Sequence, residues 1–214
     1  MVEDVNPRRS YDSSRRQEQA RTTRRAVLDT ARRLFVEQGY AKTTMGAVAA
    51  GAGVSVETVY KAFANKAGLV KALFDVAVVG DDEPVPMMQR EFVQRNTAEP
   101  DPRRKLTGYG EHVARVGART SAILLLVRDA AATDAGAATL WEQLQAERLT
   151  GMTAFARHLA DGGHLRDDVP ADEARDVLWT HNSVELWNLL VEQRGWSPDR
   201  FGDWVGRQLV AALL

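Results

Sequence analysis

The sequence contains no cysteine, and its four histidines are scattered over the second half of the chain. Without cysteine there are no disulfide bonds, thiolate metal sites or cysteine nucleophiles, and the histidines form no His-x-x-x-His zinc pair. The longest apolar stretches, such as residues 122–127, are about a third of the roughly 18 to 20 residues that a membrane helix needs. No apolar segment follows the basic N-terminus, as it would in a secretory signal. These absences predict a soluble, unexported, cytoplasmic protein without a zinc site.

The charged residues are divided unevenly along an otherwise ordinary globular composition, 44% hydrophobic and 27% charged over 214 residues. Residues 1–72 hold 13 Lys and Arg against 7 Asp and Glu, a balance of +6. The remaining residues hold 15 against 22, a balance of −7. A basic N-terminal third indicates contact with a polyanion, and a solvated charged face explains the same count equally well.

The sequence of the N-terminal third predicts an arm followed by a helical domain. Residues 1–18 combine a proline, three serines and four arginines with few apolar side chains, which predicts a flexible basic arm. From Arg21, apolar residues spaced three and four apart predict a helix that ends at Gly39. Its buried face is predicted to consist of Val27, Leu28, Ala31, Leu34 and Phe35. The capping candidates Thr43-Thr44, Ser55 and Asn65 then predict three further helices, over about 45–50, 56–63 and 66–79. The domain they complete covers residues 19–80.

The rest of the chain, residues 81–214, also has helical periodicity and no alternating strand pattern. Pro84 and Pro86 separate it from the N-terminal domain, because neither proline can donate a backbone hydrogen bond. The predicted fold class is all-α, with helices at roughly 87–95, 102–117, 120–131, 137–160, 171–193 and 198–213.

Residues 45–63 have the proportions of a helix-turn-helix: a short helix, a glycine-containing turn and a second helix with a polar outer face. The expected inner stripe of the second helix is Val56, Val59 and Phe63. Any helical hairpin in a bundle has the same outline, so this pattern alone predicts either a DNA-binding motif or a structural hairpin.

The residues themselves resemble the N-terminal domain of the TetR/AcrR family of bacterial transcriptional regulators. The likeness rests on the Ala-Gly-Val-Ser turn at 52–55, the Thr-x-Tyr at 58–60, Phe63 and the Asn-Lys-x-x-Leu at 65–69. It is specific over residues 21–75 and differs from many members at Glu57, where they have glycine. Beyond residue 80 it covers only architecture and a Gly-Trp-Ser-Pro-x-Arg-Phe ending. It implies a three-helix DNA-binding domain followed by a larger helical ligand-binding and dimerisation domain.

This resemblance implies roles for eight side chains that would meet double-stranded DNA. Thr44, Tyr60 and Lys66 would bind phosphates, and the first turns of the recognition helix would read bases. The base-reading candidates are Ser55, Val56, Glu57, Thr58 and Lys61.

Two of these assignments have alternatives, and so does a role for the basic arm. Tyr60 could instead pack on the three-helix core. Glu57 could accept a hydrogen bond from cytosine or merely stabilise the helix N-terminus. The arm arginines could enter a minor groove or remain solvated; they are Arg8, Arg9, Arg15 and Arg16.

For the second domain, the family implies a homodimer through the last two helices and a pocket for a small-molecule effector. Those two helices carry more apolar side chains than one short core needs. Aromatic and polar residues that would suit a largely apolar effector are Tyr109, His112, Trp141, Met152, Phe155, Trp179, His181 and Asn182. Each of them could equally be core or interface.

No enzyme is predicted, since the pair His181 and Glu185 and the pair Glu111 and Arg115 lack a nucleophile, a phosphate loop or a metal set. No cofactor or metal is expected. The predicted function is a ligand-responsive transcriptional regulator that binds an operator as a dimer and is associated with the bacterial nucleoid, with repression favoured and activation left open. The alternative is a helical ligand-binding or protein-interaction module whose helix-turn-helix is not functional.

Overall fold

The computed structural model describes residues 7–83 and 85–214, with side chains from residue 18 onward. Every regular element within those residues is a helix, which confirms the all-α class. The N-terminal part contains four helices, α1 (Pro7–Lys42), α2 (Met45–Ala52), α3 (Val56–Phe63) and α4 (Lys66–Val79).

Helix α1 is longer at both ends than the apolar pattern predicts. It begins at Pro7, so residues 7–18 of the expected arm are helical. Proline suits the first turn of a helix because its missing amide donor is not needed there. At Gly39, the expected end, φ is 80° and ψ is 173°, and one further turn reaches Lys42. The side chains of the four arm arginines lie outside the described residues.

The second part of the chain contains a short 3-10 turn at Met87–Gln89 and six helices. Although two of these helices hold 29 and 27 residues, no helix in the described part is apolar enough to cross a membrane. The helices are α5 (Glu91–Ala98), α6 (Pro102–Ala130), α7 (Ala135–Asp161), α8 (Ala171–His181), α9 (Val184–Trp187, continued by a π-helical turn over Asn188–Gln193) and α10 (Pro198–Leu213).

Helix α6 is continuous where the sequence predicts a gap between residues 117 and 120. Gly117 stays helical and lies against the indole of Trp187, where an added Cβ would approach Cε3 to 2.4 Å. The glycine therefore serves close packing, which sequence pattern cannot distinguish from helix termination. The two expected helices over 102–117 and 120–131 are one helix.

The single helix expected over residues 171–193 is instead divided after His181. Ser183 caps α9, since its Oγ accepts a hydrogen bond from the amide of Leu186 at 3.3 Å. The side chain of Asn182 donates to the hydroxyl of Tyr109 at 3.0 Å. The break thus coincides with a contact to α6, 73 positions away, which no local pattern reveals.

The chain divides into two compact units, residues 1–73 and 74–214, with the boundary inside α4 and not after Gly80. The last turn of α4 belongs to the second unit because Arg119 of α6 is bonded to it. The guanidinium donates from Nε to the carbonyl of Ala77 and from Nη2 to that of Val78, each at 2.7 Å.

The core of the N-terminal unit contains the face of α1 that the sequence predicts. All five predicted side chains are buried: Val27, Leu28, Ala31, Leu34 and Phe35. The core also includes apolar residues of the three following helices, among them Val48, Val59 and Leu69. This packing leaves the outer faces of α2 and α3 open.

The core of the second unit is formed largely by α6, α7, α8 and α10. Four apolar residues of α10 are completely buried in it: Phe201, Val205, Leu209 and Leu213. The chain's own core therefore accounts for much of the apolar surface on which the dimer prediction rests. Leu189 remains 49% exposed, and Trp204 and Leu214 are half-buried.

Glycines allow α6 and α10 to approach closely. A Cβ on Gly110 would lie 2.5 Å from the carbonyl oxygen of Gly202 and 2.6 Å from the amide nitrogen of Gly206. A Cβ on Gly206 would lie 3.0 Å from the Cα of Thr107. Because backbone lies against backbone here, neither helix can accept a larger residue without moving.

Candidate nucleic-acid interface and ligand-binding residues

Helix α2 begins at a pair of threonines with different tasks. The Thr44 hydroxyl accepts a hydrogen bond from the amide of Ala47 at 3.1 Å and so caps the helix, as predicted. Thr43 is fully buried and donates to the carbonyl of Gly39 at 2.9 Å. Thr44 is the exposed member of the pair, with its hydroxyl at the helix N-terminus, where backbone amides favour an anion.

The turn between α2 and α3 sets the start of the candidate recognition helix. Gly53 adopts φ 68°, and its amide closes α2 by bonding to the carbonyls of Ala49 and Ala50. Ser55 then caps α3, with its Oγ 3.2 Å from the amide and 3.0 Å from the hydroxyl of Thr58. Both predicted caps are therefore present, and both hydroxyls of the Ser55–Thr58 pair already have a partner.

Helix α3 turns Val59 and Phe63 into the core, as predicted, but not Val56. Val56 is 39% exposed because it is the first helical residue, one turn before Val59, where burial by the core falls off. Its assignment to the inner stripe is wrong, and it lies on the open surface with the other base-reading candidates.

The outer face of α3 and its N-terminal cap form a continuous candidate surface. Tyr60 is 50% exposed, so the alternative in which its ring packs in the core does not apply. Seven of the eight predicted DNA-contacting side chains are solvent-exposed, namely Thr44, Ser55, Val56, Glu57, Thr58, Tyr60 and Lys61.

Glu57 lies in the first turn of α3. Hydrogen bonds from its own backbone amide and from the Ser55 side chain lower the pKa of its carboxyl below the ordinary value. An ionised carboxylate here complements the positive end of the helix. This interaction supports the helix-stabilising role, while the exposed carboxylate can still accept from a base.

Lys66 is half-buried and already has partners within the N-terminal unit. Its Nζ donates to the carbonyls of Tyr40 at 2.8 Å and Thr43 at 3.3 Å, and it lies 4.2 Å from the centre of the Tyr40 ring. The ammonium thus satisfies the C-terminal end of α1. An ammonium has three donors, so one is left for a phosphate.

The link from α3 to α4 is a single tight turn. Ala64 has φ 62° and ψ −48°, and the amide of Asn65 donates to the carbonyl of Phe63 at 2.7 Å, which defines a γ-turn. Asn65 caps α4 by accepting from the amide of Gly68 at 2.8 Å, as predicted. A Cβ on Gly68 would lie 2.2 Å from the Phe63 carbonyl oxygen, so a larger residue requires the turn to move.

In the second unit, the structure brings five of the eight predicted ligand-binding residues together around the Tyr109 ring. The buried hydroxyl donates to the sulfur of Met152 at 3.0 Å and accepts from Asn182 at 3.0 Å. The ring centres of Phe155 and His112 lie 5.0 and 6.4 Å from that of Tyr109. These side chains satisfy one another, so a ligand among them would have to displace existing contacts.

His112 is held as a neutral ring. It stacks on Phe92, with ring centres 3.6 Å apart and planes within 5°. Burial, together with the positive charges of Arg115 and Arg119, lowers its pKa to about 4. No local sequence pattern indicates that Phe92, Arg115 and Arg119 lie around His112.

The other three predicted ligand residues lie apart from the Tyr109 ring contacts. The Trp179 ring lies under the guanidinium of Arg148 at 4.4 Å, and its buried indole N–H has no hydrogen-bond partner among the described residues. His181 lies 5.8 Å from the Trp204 ring, and Trp141 is half-buried on α7.

Two basic side chains, half-buried Arg148 and buried Lys105, were not identified from the sequence. Arg148 donates to the carbonyls of Trp179 and Asn182 and so closes the C-terminal end of α8. Lys105 is 1% exposed, with its Nζ 2.6 Å from Nε2 of His158, and burial lowers the pKa of both groups. Only their position on the inner face of a helix could have indicated them.

Comparison with known proteins identifies the N-terminal unit. Residues 27–73 match the family described as bacterial regulatory proteins, tetR family. The HTH-type transcriptional regulator TtgR of Pseudomonas putida is 43% identical over 61 residues, which are 28% of this chain and 29% of TtgR. The N-terminal unit is therefore similar to the TetR family. The match spans less than a third of the length of that curated relative.

Solved structures extend the likeness in fold over most of the chain. NalD of Pseudomonas aeruginosa, described as the secondary repressor of the MexAB-OprM multidrug efflux pump, has a TM-score of 0.69 at 19% identity and covers 91% of this chain and 98% of NalD. A complex of SmeT with triclosan has a TM-score of 0.68 at 23% identity and covers 90% and 91%. At these identities the likeness establishes the fold.

Proposed function

We propose that the chain is a transcriptional regulator that binds a DNA operator through α3. The observation that carries this proposal is the outer face of α3, a short capped helix whose polar residues are all exposed while Val59 and Phe63 anchor it. A helix of this size enters the major groove, where its first turns meet base edges. The TetR-family match covers this same segment.

The exposed residues divide into reading and positioning contacts. Lys61 has its ammonium free to donate to guanine, and Glu57 presents a carboxylate that can accept from a cytosine amino group. The exposed phenol of Tyr60 and the N-terminus of α2 at Thr44 would bind phosphate oxygens. Lys66 contributes mainly by holding the end of α1 and offers its remaining donor to a phosphate.

The second unit supplies dimerisation and control in this proposal. The half-buried apolar side chains of α8 to α10, such as Leu186 and Trp204, with exposed Leu189, form the surface for a second copy of the chain. Two dimer-related α3 helices would bind a pseudo-palindromic site. Repression and release by a small molecule are included because the similar proteins include one named a repressor and one bound to triclosan.

Selection of bound duplexes from a random library tests the proposal. We expect pseudo-palindromic sequences with half-site centres about one helical turn, or a multiple of it, apart. Binding should weaken steeply with salt, since phosphate contacts release counterions. Enrichment of no duplex would favour the alternative module with a non-functional helix-turn-helix, and a lone half-site bound by a monomer would contradict the dimer.

Substitutions on α3 then test the reading contacts within the selected site. Lys61→Ala should reduce discrimination at one base pair by about 1–3 kcal/mol while leaving the others unchanged. Lys42→Ala is the matched control, since it also removes one exposed lysine but lies at the end of α1 and not on α3. A uniform loss with Lys61→Ala over all duplexes would show that Lys61 contacts the phosphate backbone and not a base.

A further inference from the structure

Helix α5 (Glu91–Ala98) packs against α6 without burying any of its own residues completely. Its larger apolar side chains, Phe92 and Val93, are half-buried. Apolar burial stabilises in proportion to the area that is removed from water, so α5 gains little in this way. Its attachment to the second unit therefore depends on a few specific contacts with α6 and α7.

The first of these contacts is an aromatic stack near the start of α5. The Phe92 ring lies flat on the ring of His112 from α6, with ring centres 3.6 Å apart and planes within 5°. Burial and the positive charges of Arg115 and Arg119, which lie on the same helix as His112, lower the pKa of the imidazole to about 4. The stack therefore holds a neutral imidazole, and a proton added to it would be buried beside two cations.

The second contact lies at the other end of α5 and joins three helices. Nζ of Lys105, on α6, donates to the carbonyl of Thr97 at 3.1 Å and lies 2.6 Å from Nε2 of His158 on α7. Lys105 is buried, which lowers its pKa, and the charge of Glu99 opposes this shift. Two cations cannot share a contact of 2.6 Å, so only one member of the pair is charged.

The charges around His158 come from each element that meets there. Burial, the charge of Lys105 from α6 and the charge of His164 from the loop after α7 lower the pKa of His158. The charge of Asp161 on α7 and the Thr97 backbone act in the opposite direction without reversing the shift. The charge of the pair therefore belongs to Lys105, and His158 is the member that would gain a proton in acid.

Just before α5, the chain is held by a group that mild acid does not neutralise. Arg90 donates to both carboxylate oxygens of Asp81, at 2.8 and 2.7 Å, and to the carbonyls of Glu83 and Val85. The hydrogen bonds from Arg90 lower the pKa of Asp81 below its ordinary value of 3.8. This ion pair stays charged at pH 5.5, so the chain up to Arg90 remains in place if α5 separates.

We propose that α5 is an acid-released cover: protonation of His112 and His158 detaches it from α6 and α7. After release both imidazoles reach solvent, where the charged form is stable, so the released chain binds more protons than the covered one. Release is favoured as the pH falls through about 6.5, and α5 stays attached above pH 7. The uncovered surface includes the His112 ring, whose centre is 6.4 Å from that of Tyr109. The cover goes beyond the regulator proposal and does not rest on it.

The two histidines set the size of the expected effect. When the pH is lowered from 7 to 5.5, a histidine that titrates near 6.5 after release and well below 5.5 before it raises the equilibrium constant for release about eightfold. Because the two contacts lie at opposite ends of α5, their contributions multiply to about sixtyfold.

Amide hydrogen exchange of the full chain at these two pH values tests the release. The amides of residues 94–99 close the hydrogen bonds of α5, and their exchange, corrected for its intrinsic dependence on pH, should quicken about sixtyfold. The amides of Gln89 and Arg90, in the clamped segment, should change less than about threefold. Exchange in α10 should be slower than in α5 at both pH values. Exchange in α5 that is independent of pH, or as slow as in α10, would overturn the proposal.

Two substitutions assign the effect to the histidines. His112→Phe keeps a ring for the stack, and His158→Gln keeps an acceptor for Lys105, while neither new side chain titrates. Each should remove one factor of about eight, and the double variant should show no dependence on pH between 7 and 5.5. His181→Gln is the matched control, since this histidine contacts Val177 and Trp204, and it should behave as the unsubstituted chain does. A full pH effect in the double variant would assign release to other groups and overturn the proposal.

A second measurement applies if the histidine variants do not fold. The chain contains no cysteine, so an introduced thiol reports on one position only. Val93→Cys places the thiol at a half-buried position of α5, and Gln94→Cys places it at the exposed position beside it. The ratio of their labelling rates with an uncharged maleimide should rise at least tenfold from pH 7 to 5.5. A constant ratio would overturn the release of α5 by acid.

Discussion

The two units of the chain place their polar side chains differently. In the N-terminal unit, the polar residues of α3 face solvent, and most of their hydrogen bonds are made within three positions along the chain. In the second unit, Tyr109, Arg148 and Lys105 are wholly or partly buried and bonded to distant helices. An open polar face suits a large external partner such as DNA, and enclosed polar groups suit a small one. Substitutions on the exposed face of α3 should therefore change binding more than stability, and substitutions in the second unit should change stability.

The largest effect is expected from closing the glycine contact of the second unit. Gly110→Ala puts a methyl group 2.5 Å from the carbonyl oxygen of Gly202, so α6 and α10 must separate. The free energy of unfolding of this unit should fall by about 3 kcal/mol. Tryptophan emission in urea measures this unit alone, because all five tryptophans lie between residues 141 and 204.

Gly108→Ala is the matched control for this substitution. It lies on the same helix, and nothing is within 4 Å of its added methyl group. Alanine should stabilise the helix here by about 0.5–1 kcal/mol. Equal losses in the two variants would show that helical context, and not the contact with α10, determines the effect.

Acid should destabilise the second unit more than the first, since all four histidines lie in the second. The pKa of His112 is about 4 in the folded chain against 6.5 ordinarily, so the unfolded chain binds more protons between these values. Stability from His112 is complete above pH 6.5 and falls by roughly 3 kcal/mol as the pH is lowered to 4. Burial and the charge of Lys105 shift the pKa of His158 in the same direction.

The test compares urea unfolding of the second unit across this pH range with that of His112→Phe. Phenylalanine keeps a ring that stacks on Phe92 and carries no titrating group. Its stability should depend much less on pH below 6.5. An identical dependence of stability on pH in both proteins would mean that His112 binds a proton as readily in the folded chain as in the unfolded chain.

The elements that could be predicted from the sequence are those set by close neighbours along the chain. Thr44, Ser55 and Asn65 are identifiable as caps because each bonds an amide three positions ahead. The buried face of α1 follows from its spacing alone. The exposed candidates of α3 come from the family resemblance, and the structure leaves them exposed.

The features that could not be predicted depend on partners far away in sequence. Gly117 looks like a helix end until Trp187 is placed beside it, and Lys66 looks like a free surface lysine until the end of α1 reaches it. Arg119 gives no signal, because its bonds to α4 span more than 40 positions. Local patterns contain no information about such contacts.

Lys66 is a half-buried polar side chain of the N-terminal unit that, like those of the second unit, is bonded to a distant part of the chain. Its substitution tests whether these bonds stabilise the N-terminal unit. Lys66→Ala removes the donor to the carbonyls of Tyr40 and Thr43 and should lower the stability of this unit by about 1–2 kcal/mol. Lys61→Ala, on the exposed face, should stay within about 0.5 kcal/mol. Hydrogen exchange in α1 and α2 measures both changes.

DNA binding distinguishes the two roles of Lys66. If positioning of α1 is its main task, its loss should weaken all duplexes alike, with a change in salt dependence well below one ion. Unchanged stability together with a salt slope reduced by about one would instead assign Lys66 to a phosphate.

The smallest effect is expected at the α3–α4 turn, where Ala64 has φ 62°, a conformation that disfavours any residue with a Cβ. Ala64→Gly should relieve this strain, which is of order 1–3 kcal/mol, and lose part of the gain to the greater entropy of the unfolded chain. A net stabilisation of about 0.5–1 kcal/mol of the N-terminal unit remains.

Gly53→Ala is the reverse control, since φ is 68° there and nothing lies within 4 Å of the added methyl group. It should lose about 1 kcal/mol of stability by backbone strain alone. Exchange of the α3 amides should slow in the first variant and quicken in the second, and faster exchange in Ala64→Gly would mean that the methyl group of Ala64 holds the turn together by packing.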